Sequence, residues 1–231
     1  MARMPRFVRA FLAVHATARG VNGCCIFRSK KDRELYLERF NKVAGEEGVD
    51  IYAYCLLKNH VHFLLVPHSE EALARLFLRV HTWWAMFYNK EYHRTGHLFQ
   101  GRFYSCVLDK AHFWAALRYI DTNPRKHNLS NDLVRWQYSS ARQHLTGIPD
   151  EFVQLEMDAW HRRFTVRTYA GFLEESDAEV ATRLEKSAQT GRPCGSARFV
   201  QRLERKADRR LHALPPGRPP RLKDKPKTFT A

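Results

Sequence analysis

His60-Val61-His62 is the first constellation that can do chemistry. On a strand, side chains alternate between faces, so His60 and His62 point one way and Val61 the other. Two imidazoles on one face can bind one divalent cation. A second constellation is Leu117-Arg118-Tyr119-Ile120-Asp121-Thr122-Asn123-Pro124. Tyr119 and Asn123 are four apart and share a helix face, while Leu117 and Ile120 lie on another and can pack on a sheet. The Asn123 amide oxygen is a hard third ligand for a cation held by two histidines. A tyrosine one turn away then suits attack on a phosphodiester, with the metal polarising a phosphoryl oxygen. Free tyrosine has a pKa of about 10; a cation, or Arg118 and Arg125 nearby, would favour the phenolate. Each piece also has a plain structural reading. The histidines suit a half-buried pair satisfied by backbone carbonyls, Tyr119 an amphipathic core edge, and Asn123 a helix stop.

Such side chains need rigid elements. Phe7–Ala16 reads as a strand, and Asp32–Glu46 as a helix with Leu35, Phe40 and Val43 at helical spacing. Ile51–Leu57 and Val61–Pro67 are apolar runs parted by Lys58-Asn59, a hairpin pattern. Glu70–Glu91 reads as a long helix with Leu73, Phe77, Val80, Trp84 and Phe87 on one face, so Trp83 and Trp84 are expected in the core. Phe103–Leu108 is a further strand, and Ala111–Thr122 a helix that Pro124 ends. The order β-α-β-β-α-β-α predicts an α+β fold: a ferredoxin-like or RRM-like antiparallel sheet with helices on one face, plus a basic C-terminal extension.

The 231 residues hold 39 Lys/Arg against 24 Asp/Glu, a net charge of +15. A chain this basic points to a polyanionic partner. The longest apolar stretches fall far short of the about 18 residues of a membrane span, so no membrane partner is expected. The Arg-interrupted N-terminus does not read as a signal peptide. Five scattered cysteines without a Cys-x-x-Cys fit free thiols in a reducing cytoplasm. From Glu185 to Ala231 there are 13 Lys/Arg and 4 Asp/Glu, together with five prolines from Pro215 onward. The expected organisation is a catalytic-type domain over 1–145, a helical basic region over 146–213 and a disordered basic tail over 214–231.

Six segments in order resemble the REP-associated tyrosine transposases, a branch of the IS200-like single-tyrosine transposases. They are Val14-His15-Ala16-Thr17-Ala18-Arg19-Gly20; Tyr54-Cys55-Leu56-Leu57-Lys58-Asn59-His60-Val61-His62-Phe63-Leu64-Leu65; Arg94 to Ser105; Leu117 to Pro124; Tyr138-Ser139-Ser140; and Thr190-Gly191-Arg192-Pro193-Cys194-Gly195-Ser196 with Phe199-Val200. The resemblance implies HUH-type chemistry: His60, His62 and Asn123 bind Mg²⁺ or Mn²⁺, and Tyr119 is the nucleophile. It implies cleavage of single-stranded, hairpin-forming palindromic DNA through a 5′-phosphotyrosine that frees a 3′-OH, with no nucleotide cofactor. The sequence departs from the family pattern at Lys58, where Pro is common. It departs again at Arg125-Lys126-His127 in place of an expected Val-Arg-Ala, and at Trp136-Gln137-Tyr138.

Gly96–Ser105 carries His97, Gln100, Arg102 and Tyr104 between glycines, a loop suited to approach a DNA strand and stack a base. Gly191-Arg192-Pro193 and Gly217-Arg218-Pro219 each hold an Arg in an extended backbone suited to a narrow groove. Between them, Phe199, Leu203 and Leu211 with Arg202, Arg205, Arg209 and Arg210 read as a basic amphipathic helix. With Arg118 and Arg125, these form the expected DNA-binding set. The competing reading is the same fold as a catalytically idle binder of hairpin DNA or RNA.

Overall fold

The computed structural model describes residues 6–175 and 178–213. Four strands form one antiparallel sheet: β1 (Val14–Arg19), β2 (Val49–Leu56), β3 (His60–Pro67) and β4 (Tyr104–Val107), in the order β2-β3-β1-β4. The chain enters β1, crosses by helix α1 (Lys30–Glu47) to β2, turns back into β3, and crosses by α2 (Ala72–Glu91) to β4. That is the expected ferredoxin-like order.

Local chemistry sets the boundaries. Ser29 caps α1: its side chain accepts from Asp32 N at 3.1 Å, and Asp32 Oδ2 accepts from Ser29 N at 3.2 Å, a reciprocal capping box. Gly48, at φ 63°, takes the left-handed turn that ends α1. The β2–β3 hairpin closes with Leu57 N donating to His60 O at 2.9 Å.

β1 starts later than the sequence suggests. Phe11 lies in the left-handed region at φ 60°, which breaks an extended run from Phe7. The residues that find partners are Val14 to Arg19, in register with Leu65 to His60 of β3. A strand forms where its backbone groups can be paired, and that overrides the apolar run upstream.

α3 runs Lys110–Lys126, through Pro124. Proline lacks an N–H, so at this position it gives up one helical bond, to Ile120 O. Beyond it, His127 N closes on Asn123 O and Leu129 N on Pro124 O, both at 2.9 Å. The expected stop at Pro124 is therefore displaced to His127, and Lys126 and His127 are carried around beside Tyr119.

The sheet is covered on both faces, more than the helices on one face expected. On one side Val14, Ala16, Val61, Phe63 and Leu65 pack with Tyr36, Phe40, Phe77, Val80 and Trp84 of α1 and α2. Trp84 is fully buried and donates Nε1–H to Ile26 O at 3.0 Å; Trp83 stacks on Phe87. On the other side Ala53, Cys55, Leu64 and Cys106 pack with Leu117 and Ile120 of α3. After α3 come α4 (Ala141–Thr146), α5 (Asp158–His161), α6 (Val166–Glu174), α7 (Ala178–Thr190) and α8 (Ala197–Ala207). α7 packs on α3 and β4, and Phe199 and Leu203 of α8 join the first core. The α3 side is sealed because its sequence offers a second apolar stripe and the C-terminal helices supply cover. Gly195 marks a close approach: a Cβ there would lie 2.4 Å from Phe199 Cδ1 and 2.9 Å from Asp109 Oδ2. Cys194 pairs in parallel with Leu108, extending the sheet beyond β4.

No helix among the described residues is long and apolar enough to cross a membrane. The expected disordered tail over 214–231, with Arg218, lies outside the described residues.

Candidate active site

The side chains that alternate onto the α3 face of β1 and β3 are His15, Thr17 and Arg19 from β1, and His60 and His62 from β3. With Gln100, Tyr104, Tyr119, Lys126, His127 and Glu185 they line a cavity of about 770 Å³. As the two-residue alternation of a strand requires, His60 and His62 share a face, with ring centroids 5.0 Å apart. α3 brings Tyr119 over them, its ring 5.4 Å from His62 and 5.8 Å from His15.

Each histidine has one nitrogen engaged. His60 Nδ1 lies 2.7 Å from Asn59 Oδ1, an acceptor, so Nδ1 carries the proton and Nε2 keeps its lone pair. Asn59 is itself anchored, donating Nδ2–H to Gly23 O at 3.1 Å. His62 Nδ1 lies 3.0 Å from His15 Nε2, and His62 Nε2 is buried with no hydrogen-bond partner. Burial, with neighbouring His127 and Arg19, holds His60 down at about 4. Burial, with His15 and His60 adding like charge, pushes His62 well below its ordinary value. Burial likewise holds His15 at about 4. These imidazoles are neutral at pH 7, the form that binds metal.

Asn123 is fully buried, and both its Oδ1 and Nδ2 lack a hydrogen-bond partner. A buried amide with neither atom satisfied is costly unless a ligand completes it. Among the described residues no three His, Cys, Asp or Glu side chains converge as a metal cluster. Asn123 is not among the residues that line the histidine cavity; by donor type, two imidazoles and an amide oxygen suit a divalent cation whose remaining positions are left to water or phosphate oxygens.

The Tyr119 hydroxyl donates to Glu185 Oε1 at 2.8 Å. Lys126 Nζ donates to the same carboxylate oxygen at 2.7 Å and lies 4.8 Å from the Tyr119 ring centre. Burial, with the Glu185 carboxylate beside it, pushes the Tyr119 phenol well above its ordinary value.

The cations expected beside the phenol are elsewhere. Arg118 Nη1 donates to Glu175 Oε2 at 2.7 Å and its guanidinium lies over Phe172; Arg125 pairs with Glu174 at 3.1 Å. Both face α6, outside the histidine cavity. Lys126 takes that place because the helix continues through Pro124. Of the loop set, Gln100 and Tyr104 line the cavity, and Gln100 N bonds Arg19 O at 2.8 Å. His97 and Arg102 are exposed on the same loop. Arg192 lines a separate cleft between α7 and α8. Arg202, Arg205 and Arg210 are exposed around the amphipathic α8 region, as expected.

Several residues of the cavity are not singled out by the sequence patterns, among them His15, Arg19, Asn59, Lys126, His127 and Glu185. Lys126 and His127 were within reach of them, since Tyr119, Asn123, Lys126 and His127 follow i, i+4, i+7, i+8 spacing. His15 alternates with Thr17 on β1, but pairs with His62 across a strand junction that the sequence leaves unspecified. Glu185 carries no local signal.

Residues 14–123 match the family model described as "Transposase IS200 like". Over that stretch the chain is similar to the IS200-like transposases. His60, His62, Tyr119 and Asn123 all lie within the matched stretch, Asn123 as its last residue. Among solved structures the chain is similar to one titled "Structure of the REP associates tyrosine transposase bound to a REP hairpin". The TM-score is 0.52 at 16% sequence identity, over 67% of this chain and 92% of that one. At that identity the likeness establishes the fold. No curated protein matches the chain.

Proposed function

We propose that this chain is a metal-dependent single-stranded DNA nickase and strand transferase, transposase-like, acting on hairpin-forming palindromic repeats. The observation that carries this reading is the convergence in one cavity of the Tyr119 hydroxyl with His60 and His62, each placed to present Nε2. His60, His62 and Asn123 would hold Mg²⁺ or Mn²⁺, which supplies Lewis-acid polarisation of a phosphoryl oxygen. Asn59 and His15 fix the ring orientations of the two histidines. Tyr119 attacks the scissile phosphorus, retaining a 5′-phosphotyrosine and releasing a 3′-OH. Rejoining reverses the step, and the bond energy stays in the phosphotyrosine, so no nucleotide cofactor takes part. Arg19, Gln100, Tyr104 and Lys126 border the cavity and contact the strand being cut. His97, Arg102 and Arg192 lie further along the surface, and Arg118 and Arg125 reach DNA only by exchanging their glutamate partners. The described part has no membrane-spanning helix, in keeping with a DNA-associated protein of the bacterial cytoplasm.

Single-stranded hairpins from the gene's own flanks, incubated with Mn²⁺ or with EDTA, test this reading. The expected result is metal-dependent nicking with a covalent DNA–protein band, both lost in Tyr119→Phe while hairpin binding persists. Tight, salt-sensitive hairpin binding without nick or adduct across metals and flanks would assign the idle-binder alternative. Equal nicking by Tyr119→Phe would remove Tyr119 as nucleophile.

A further inference from the structure

Glu185 lies well beyond the matched stretch 14–123, on α7, yet its carboxylate is the group that receives the Tyr119 hydroxyl. Its position is fixed by packing, because its neighbours Leu184 and Ala188 on α7 are buried against α3 and the sheet. Of the groups around the phenol, the Glu185 carboxylate is the one in hydrogen-bond contact with its hydroxyl among the described residues. His15 Nε2 and His62 Nδ1 are turned to each other at 3.0 Å. Lys126 is a cation, with donors and no acceptor. A base must lie within hydrogen-bond reach of the proton it abstracts, and Glu185 at 2.8 Å does. Burial works to raise the Glu185 pKa, but hydrogen bonds from Lys126 and Tyr119 outweigh it and hold the carboxylate below its ordinary range. It is therefore ionised and able to accept.

We infer that Glu185 is the proton acceptor for Tyr119 in strand cleavage, with Lys126 holding its carboxylate in place. This rests on the nickase reading above. As the phenolic oxygen bonds to the scissile phosphorus, the O–H proton passes to Glu185 Oε1. The bond from phosphorus to the 3′-oxygen breaks, and that oxygen takes a proton from water. In rejoining, a 3′-OH attacks the phosphotyrosine and loses its proton to water, while Glu185 returns its proton to the departing phenol. The α7 helix is thereby part of the active site, although the family match ends before it.

The test is single-turnover adduct formation by the full chain on a cleavable hairpin with Mn²⁺. Glu185→Gln preserves shape and is expected to slow adduct formation by about 10²-fold, with hairpin affinity within about twofold of wild type. Glu185→Ala is expected to be similarly slow and to speed up when acetate or formate is added, since a small carboxylate can stand in for the missing base. Adduct formation by Glu185→Gln at the wild-type rate or faster would overturn the inference and make the contact a restraint on Tyr119. A slow Glu185→Ala indifferent to added carboxylate would also overturn it, leaving Glu185 as a prop. If wild type itself forms no adduct, the nickase reading fails and takes this inference with it.

Discussion

Two buried polar clusters involve α3, and they differ in whether the protein completes them. Asp121 is fully buried, and both its oxygens are used: Oδ1 accepts from Ser140 Oγ at 2.5 Å, Oδ2 from His144 Nδ1 at 2.7 Å and Tyr169 OH at 2.6 Å. Ser140 also bridges to the Tyr54 backbone, and His144 stacks on Trp160. This cluster ties α3 to β2, α4 and α6. Asn123, two residues on and equally buried, has no protein partner for either amide atom, and His62 Nε2 has none either. A buried polar group with its partners in place stabilises and orients; one left open costs free energy unless a ligand supplies the bond. The first cluster holds α3 still; the second is the one that, on the proposed function, a ligand would complete.

The largest expected effect tests the closed cluster. Asp121→Ala leaves Ser140, His144 and Tyr169 without their shared acceptor and should cost about 3–5 kcal/mol of stability in urea unfolding. A loss below about 1 kcal/mol would mean that the cluster is not what holds α3. The open cluster should behave in the opposite sense. Asn123→Leu replaces an unsatisfied amide by a side chain of similar size and should raise metal-free stability by about 1 kcal/mol, while abolishing stabilisation by Mn²⁺. Destabilisation on the scale of Asp121→Ala would make Asn123 a structural residue and erase the contrast.

Smaller effects separate the two sides of the α3 C-terminus. Lys126→Ala should lower the salt dependence of hairpin binding by about one unit of slope, because it removes one positive charge from the cavity wall, where Lys126 is paired with Glu185. Arg125→Ala should leave that slope unchanged, since Arg125 and its partner Glu174 both lie outside the cavity. It should alter stability by no more than about 0.5 kcal/mol, as befits an exposed ion pair. Equal slopes for the two variants, measured by filter binding across salt concentrations, would show that the strand does not follow the histidine cavity.

Most of the layer was legible because its signals are local. The period-2 runs of β2 and β3, the Asp32 start of α1 and the apolar stripe of α2 each fix an element without reference to distant residues. The His60–His62 face and the shared helix face of Tyr119 and Asn123 were legible for the same reason. β1 starts later than its apolar run because its extent is decided by pairing with β3 and β4, which the apolar content of Phe7–Leu12 does not encode. α3 outruns Pro124 because a proline in a final turn costs one bond and can be absorbed. Lys126 and His127 join the cavity through that extra turn. The second helical cover of the sheet, and with it Glu185, depends on α7 returning across more than fifty residues to lie on α3. No spacing rule reports such a contact.

On the proposed function a divalent cation completes His60, His62 and Asn123, and not the Asp121 cluster. EDTA-stripped protein titrated with Mn²⁺ and followed by thermal unfolding tests it most directly. Wild type should show a saturable stabilisation, about 2.7 kcal/mol at a hundredfold excess over Kd. The shift should be absent in His62→Ala and Asn123→Leu and retained in Asp121→Asn on its lower baseline. No shift in wild type, or an undiminished shift in Asn123→Leu, would contradict it.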